Sequence, residues 1–340
     1  TRTLADNLAD LRATLAAIIR GSEALSDLAD NVGFSHVVDH MDALRALAAE
    51  QVARALERLP DGVHTGRQLL DDGAPLRAAF TIQGDRAILD FSGSAPVHSG
   101  NLNATPAIVN SVTMYVMRLL VDLELPLNEG LLEPIEILVP EGLLNPPYVD
   151  DPKLCPAVVG GNVETSQRLV DTLIEALGIA ASSQGTMNNI TFGDESFGYY
   201  ETVGGGSGAV DGFDGESGVH THMTNTRITD PEVIEHRYPV RLHRFALRSG
   251  SGGAGRWRGG DGLIREIEFL APLEFSILSQ HRVSAPFGMA GGEDGAVGRQ
   301  TVIRADGTRH ELAGIDGCKM GPGDRLVLET PGGGGYGRPG

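Results

Sequence analysis

Two histidines stand two residues apart in Gly218-Val219-His220-Thr221-His222-Met223-Thr224-Asn225-Thr226-Arg227, the densest polar stretch of the chain. On an extended strand, positions i and i+2 project from the same face. Such a pair suits two jobs, because imidazole titrates near neutrality and so moves protons, and its unprotonated nitrogen binds metal. No third ligand stands at a fixed spacing from them. Paired histidines also serve as plain hydrogen-bonding groups in a polar interior.

A second polar stretch, Ser183-Gln184-Gly185-Thr186-Met187-Asn188-Asn189, precedes Tyr199-Tyr200-Glu201 and then Gly204-Gly205-Gly206-Ser207-Gly208. Successive glycine N–H groups, here those of Gly205 and Gly206, can form a concavity that holds an oxyanion or a phosphate. The plainer reading is a tight turn between strands, since the run lacks the Lys-Ser/Thr and the spacing of a P-loop. Glu164-Thr165-Ser166-Gln167-Arg168 follows Gly160-Gly161-Asn162 at a helix start, where the helix dipole favours an anion. In the plainer reading Glu164 complements that dipole and Asn162 caps the helix.

These groups need a scaffold. Leu4, Leu8, Leu11, Leu15 and Ile18 recur at alternating steps of four and three, one face of an amphipathic helix. Gly21 and Ser22 are expected to break it, with a short second helix over residues 23–32 stopped by Gly33. A third helix is expected over residues 35–59, with Val38, Met41, Leu44, Ala48, Val52 and Leu56 inward. Beyond Pro60, residues 78–82 and 87–91 read as a hairpin around Gln83-Gly84-Asp85-Arg86. Residues 105–123 read as a largely buried helix, 133–139 as a strand, and 162–177 as a helix ended by Gly178. Of the 46 glycines, 33 fall from Gly185 onward, among β-prone pieces at 199–203, 263–269 and 325–329. Many tight turns between short strands are expected there. The fold class that follows is α+β (mixed α/β): a helical segment over 1–60, a mixed α/β region over 61–180, and a glycine-rich, β-rich region over 181–340.

With 27 Lys plus Arg against 45 Asp plus Glu, the formal charge of -18 repels nucleic acid and anionic membranes, so neither is an expected partner. Aromatic residues make up 5% of the chain, which leaves most packing to Ala, Leu, Val and Gly. Cys155 and Cys318 are too few for a disulfide framework or a cysteine zinc site. The chain shows neither a signal peptide nor an apolar run of membrane-spanning length. A cytoplasmic protein is expected. Because the chain opens at Thr1, a processed product, a split subunit or a piece of a longer polypeptide is expected. As a processed product, Thr1 would be an N-terminal nucleophile using its own amine as base, although the helix that starts at once sets it on a surface end.

Several of these stretches, in this order, resemble the hydantoinase B/oxoprolinase family over essentially the whole chain. They are Asp90-Phe91-Ser92-Gly93-Ser94 with Gly100-Asn101-Leu102-Asn103-Ala104, Gly160 through Arg168, Ser183 through Asn189, Tyr199-Tyr200-Glu201-Thr202, His222 through Glu232, Arg258-Gly259-Gly260-Asp261-Gly262, and the terminus from Pro331 to Gly337. The resemblance implies an enzyme system in which a hydantoinase A-type partner, holding ATP and Mg, activates a lactam, hydantoin or ketone, and the B-type component completes ring opening or carboxylation. It further implies a hetero-oligomer, and a divalent metal whose ligands lie upstream of anything corresponding to Leu4, on a chain or segment that supplies the N-terminal part. By the same resemblance His220 and His222 are candidates for moving protons or for supporting the groups that do, Glu201 is a candidate general base, and Asn188, Asn189 and Arg227 are candidate contacts to a small-molecule substrate or its phosphate. An ATP-dependent hydrolase of hydantoin or 5-oxoproline is the leading expectation. The alternatives are a ketone carboxylase subunit and a non-catalytic assembly subunit.

Overall fold

The computed structural model describes residues 2–121 and 123–340. Thr1 therefore lies outside the described residues, as does Asp122 near the expected end of the helix over 105–123.

Two long helices open the chain, α1 (Leu4–Val32) and α2 (Phe34–Glu57). Gly21 does not break α1. A single glycine costs a helix about 1 kcal/mol, and neighbours such as Ala, Leu, Ile and Arg offset that. The break comes at Gly33, whose φ of 93° is the left-handed geometry that favours glycine. Only the second half of α2 is inward: Ala48, Val52, Ala55 and Leu56 are buried. Val38, Met41 and Leu44, expected inward, are exposed.

Next comes a four-stranded sheet, β1 (Gly62–Leu69), β2 (Pro75–Gln83), β3 (Arg86–Asp90) and β4 (Ile135–Leu138), in that order. β2 and β3 form the expected hairpin, while β4 adds in parallel to β3 after a crossover through α3 (Pro106–Leu120). Alternation along β2 sends Leu76, Ala78, Phe80 and Ile82 inward. They join one core with Val52, Leu56, Val109, Val112, Val116 and α4 (Ser166–Leu177).

The glycine-rich part holds two antiparallel sheets and a short helix, α5 (Pro231–Arg237). One sheet runs β11 (Arg309–Glu311), β10 (Arg299–Ile303), β13 (Arg325–Glu329), β8 (Gly262–Phe269), β7 (Val240–Arg248). The other runs β12 (Ile315–Met320), β9 (Leu273–Leu278), β5 (Asn189–Gly193), β6 (Gly198–Glu201). A second core lies between them, built on Ile190, Phe192, Ile267, Phe269, Phe275, Ile277 and Leu328. With five α-helices and three sheets among the described residues, the fold is α+β.

Many glycines serve close packing rather than turns. The segments around Gly206, Gly260 and Gly333 run past one another, joined by Gly260 N–H to Ser207 O and Gly333 N–H to Gly260 O, both 2.9 Å. A Cβ on Gly206 would sit 1.9 Å from the Gly260 carbonyl oxygen, so backbones meet where side chains have no room. Both cysteines are free, and no helix among the described residues is long and apolar enough to cross a membrane.

Candidate functional site

α4 is buried almost all round, and one stripe of it is polar. A π-helical turn, Gly161–Thr165, opens it, and such turns gather at functional sites. Glu164, Gln167, Arg168 and Asp171 then follow at i, i+3, i+4 and i+7, so they share one face, and all are within 1% of complete burial. Four buried polar side chains on one helix are costly unless each finds partners.

Those partners come from loops far away in sequence. Glu164 Oε1 accepts from Asn189 Nδ2 at 2.6 Å and Met187 N–H at 3.1 Å. Desolvation, only partly countered by hydrogen bonds and by Arg282, pushes its carboxyl up to about 8. Gln167 Nε2 donates to Thr221 O and Thr224 Oγ1, fixing the loop that carries His222. Arg168 Nη2 donates to Leu69 O at 2.7 Å, and its Nη1 lies 3.0 Å from His281 Nδ1. That His281 nitrogen is also 2.6 Å from Ser284 O, so it stands between a donor and an acceptor. Burial, reinforced by the charge of Arg168, drives the His281 pKa well below its ordinary value.

His222 Nε2 lies 3.5 Å from Asp171 Oδ1, and Nδ1 lies 3.2 Å from the Tyr115 hydroxyl. The Tyr115 hydroxyl donating to Nδ1 directs Nε2–H at the carboxylate, which also accepts from Ser183 N–H at 3.2 Å. Burial and the Asp171 charge raise the Tyr115 pKa, so the phenol stays a donor. On the other side of Asp171 sits Gly185, where an added Cβ would lie 2.8 Å from Asp171 Oδ2 and 2.5 Å from His281 Nε2. Glycine is therefore required where these two groups converge.

Two signs mark this cluster as more than scaffolding. Among the described residues only four non-glycine positions have positive φ, and Asn188 (48°), His222 (51°) and His281 (57°) all belong here. Such strain persists where function demands a geometry. Glu164 Oε2, Arg168 Nε, Asp171 Oδ2, His222 Nε2 and His281 Nε2 are also buried without a hydrogen-bond partner, whereas buried polar atoms are ordinarily satisfied.

The candidate residues read from the sequence fall in different places. His222 is in the cluster. His220 is only half-buried, with burial lowering its pKa, and a turn at His222 and Met223 replaces the strand that would have set both imidazoles on one face. Asn188 and Asn189 are in the cluster with their amides committed. Asn188 donates to Gln184 Oε1 and Val203 O and accepts from Arg282 Nη2, while Asn189 donates to Glu164 and Leu278 O and accepts from Tyr200. Glu201 stands apart in the second core, accepting from Arg265 Nε at 2.8 Å, Arg265 Nη2 at 3.2 Å and the Tyr199 hydroxyl at 2.7 Å. Arg227 is exposed and makes no hydrogen bond to the cluster. Gly205 N–H and Gly206 N–H donate to Val219 O and Pro331 O, so the expected anion-holding concavity does not form. Arg168, Asp171, Tyr115, His281 and Arg282 were not among those candidates. The polar stripe at helical spacing on α4 was the available signal for the first two.

Among the described residues no three His, Cys, Asp or Glu groups stand so as to hold a metal ion. The Asp171 and His222 pair alone does not fit one.

A strained histidine lies against a buried carboxylate beside Arg168, an arrangement in which an imidazole can exchange a proton, and comparison with known proteins supplies the class. Residues 1–339 match the Hydantoinase B/oxoprolinase family, and the chain belongs to it. It is 43% identical to 5-oxoprolinase 1 of Arabidopsis thaliana, over 99% of this chain and 28% of that protein, and 41% identical to 5-oxoprolinase of Dictyostelium discoideum, over 99% and 27%. Its fold matches the crystal structure of an ATP-dependent caprolactamase from Pseudomonas jessenii with a TM-score of 0.85 and 26% identity, covering 98% of this chain and 61% of that one. The chain thus spans little more than a quarter of the length of these oxoprolinases.

Proposed function

We propose that these residues form part of an ATP-dependent cyclic-amide hydrolase whose substrate class is 5-oxoproline, working in the cytoplasm with a hydantoinase A-type ATP-binding partner. The observation that carries the substrate is the gradient of identity, 43% to an oxoprolinase over nearly the whole chain against 26% to the caprolactamase. An unstrained amide is a poor electrophile. Phosphorylation of its oxygen by the partner activates the carbon, and a first water adds to it. The C–N bond breaks as the ring nitrogen gains a proton, and a second water hydrolyses the acyl phosphate left behind to the carboxylate and inorganic phosphate.

His222 is the group we assign to that proton. Its imidazole is at the rim of the cluster with 9% of its side chain exposed, whereas Asp171 is fully buried behind it. Asp171 orients the ring and balances the imidazolium, as an orienting carboxylate does for other catalytic histidines. The divalent metal that the family resemblance implies would take its ligands from outside these residues, and no step here passes through it.

The reading is tested by measuring ADP release and product together, with 5-oxoproline, hydantoin, N-methylhydantoin, caprolactam, and acetone plus bicarbonate, using the complete complex. Glutamate formed from 5-oxoproline in step with ADP supports it. Carboxylation of acetone without ring opening would overturn it.

A further inference from the structure

The apolar seam of α1 is independent of the cluster. No residue of α1 is buried, although its sequence is that of a helix made for burial. Nine large aliphatic side chains, among them Leu8, Leu11, Leu15, Ile18, Leu25 and Val32, are 42–63% exposed. Together they present on the order of 800 Å² of apolar surface, about what one partner contributes to a standard-size interface. A patch of that size on a folded protein marks a packing surface.

The pattern also says what kind of occupant fits. Read as heptads, Leu4, Leu11, Ile18, Leu25 and Val32 fall on one core position, and Leu8, Leu15, Ser22 and Ala29 on the other. The flanking positions, where a two-stranded homodimer carries complementary charges, hold Ala5, Asn7, Thr14, Ile19, Ser26 and Leu28, with Arg12 the one charge. A stripe that is wide and neutral at its edges belongs to a helix sunk into a larger body rather than to an isolated pair. The charges farther out are mostly acidic: Asp6, Asp10, Glu23, Asp27 and Asp30 against Arg20.

Both ends of α1 are tied to the same body. Gly33 joins it to α2, which is anchored in the first core, and Arg2 just ahead of it lines a 420 Å³ groove with Thr191, Phe192, Glu274, Ser276 and Lys319 on the sheet of β5 and β9. The helix is a strap with an uncovered middle. In the caprolactamase the matched region is 61% of the polypeptide, which leaves more than a third of that chain outside it.

We propose that the seam of α1 packs against the portion of a B-type polypeptide that lies outside residues 1–340, through an apolar surface with basic flanks. The test places a photo-reactive benzoylphenylalanine at Leu15, or at Asp10 as the solvent-side control, in the polypeptide expressed from its complete gene in its own cells. Mass spectrometry then identifies the linked peptide. The expected result is a link within one polypeptide from position 15 to residues outside 1–340, at least tenfold above position 10. A link between two copies of α1, a link to a different polypeptide, or equal yield at both positions would overturn the proposal.

Discussion

Asp171 and His222 are 51 residues apart in sequence, yet the carboxylate Oδ1 and the imidazole Nε2 lie 3.5 Å apart at the edge of a buried polar cluster. α4 supplies the rigid member, and a strained loop held by Gln167 supplies the other. A carboxylate so placed holds the orientation of the ring. Replacing Asp171 with Asn is expected to lower kcat by about 10²–10⁴-fold, the usual contribution of a positioned acid–base group, with KM little changed. An unchanged kcat would show that Asp171 only supports the fold.

Glu164 makes a prediction about stability. Its carboxyl titrates near 4.5 when free and near 8 in the folded protein. A raised acid pKa means that the folded state binds the proton more tightly, so this stabilisation is full below pH 4.5 and is lost as pH rises through 8. Glu164→Gln keeps the shape and cannot ionise. The variant is expected to lose less stability than the unaltered protein between pH 5 and 8.5, measured by denaturant titration. Parallel curves would contradict this.

Glu201 separates the reading by resemblance from the reading by geometry. Both oxygens are bound to Arg265 or Tyr199, and burial raises its pKa against the pull of Arg265. Glu201→Gln leaves a buried guanidinium without its charge partner and is expected to destabilise the protein by roughly 3 kcal/mol, while activity per folded molecule is kept. The double variant Glu201→Leu with Arg265→Met is expected to be more stable than the single one. Loss of turnover at full stability would restore Glu201 as a base.

Two glycines should respond in opposite directions to alanine. At Gly206 the new methyl meets the Gly260 carbonyl at 1.9 Å, so Gly206→Ala is expected to yield little folded protein. At Gly21, inside α1, nothing lies within 4 Å, and Gly21→Ala is expected to raise stability by about 1 kcal/mol through helix propensity. Thermal melting of the two variants decides both.

Local signals in the sequence were enough for much of the fold. The β2–β3 hairpin and the helix stops at Gly33 and Gly178 follow from turn and cap chemistry that acts over a few residues. The glycine-rich half was harder, because its glycines mark where distant backbones cross, and no local pattern distinguishes that from a turn. The same limit governed the site. His222 and the stretch from Ser183 to Asn189 stood out by composition, but Asp171 and His281 join them only through tertiary contacts. The pairing of Glu201 with Arg265 spans 64 residues. The apolar face of α1 was visible in its periodicity, and its exposure was not, since periodicity reports what a helix is made to bury rather than what covers it.

The most direct test of the central claim is ATP-coupled ring opening of 5-oxoproline by the complete enzyme, compared with His222→Asn at matched thermal stability. Asparagine tolerates the left-handed backbone at this position, so the fold is expected to hold. Glutamate formation coupled to ADP is expected in the unaltered enzyme, with a loss of about 10²-fold or more in the variant. Full activity in His222→Asn would contradict it.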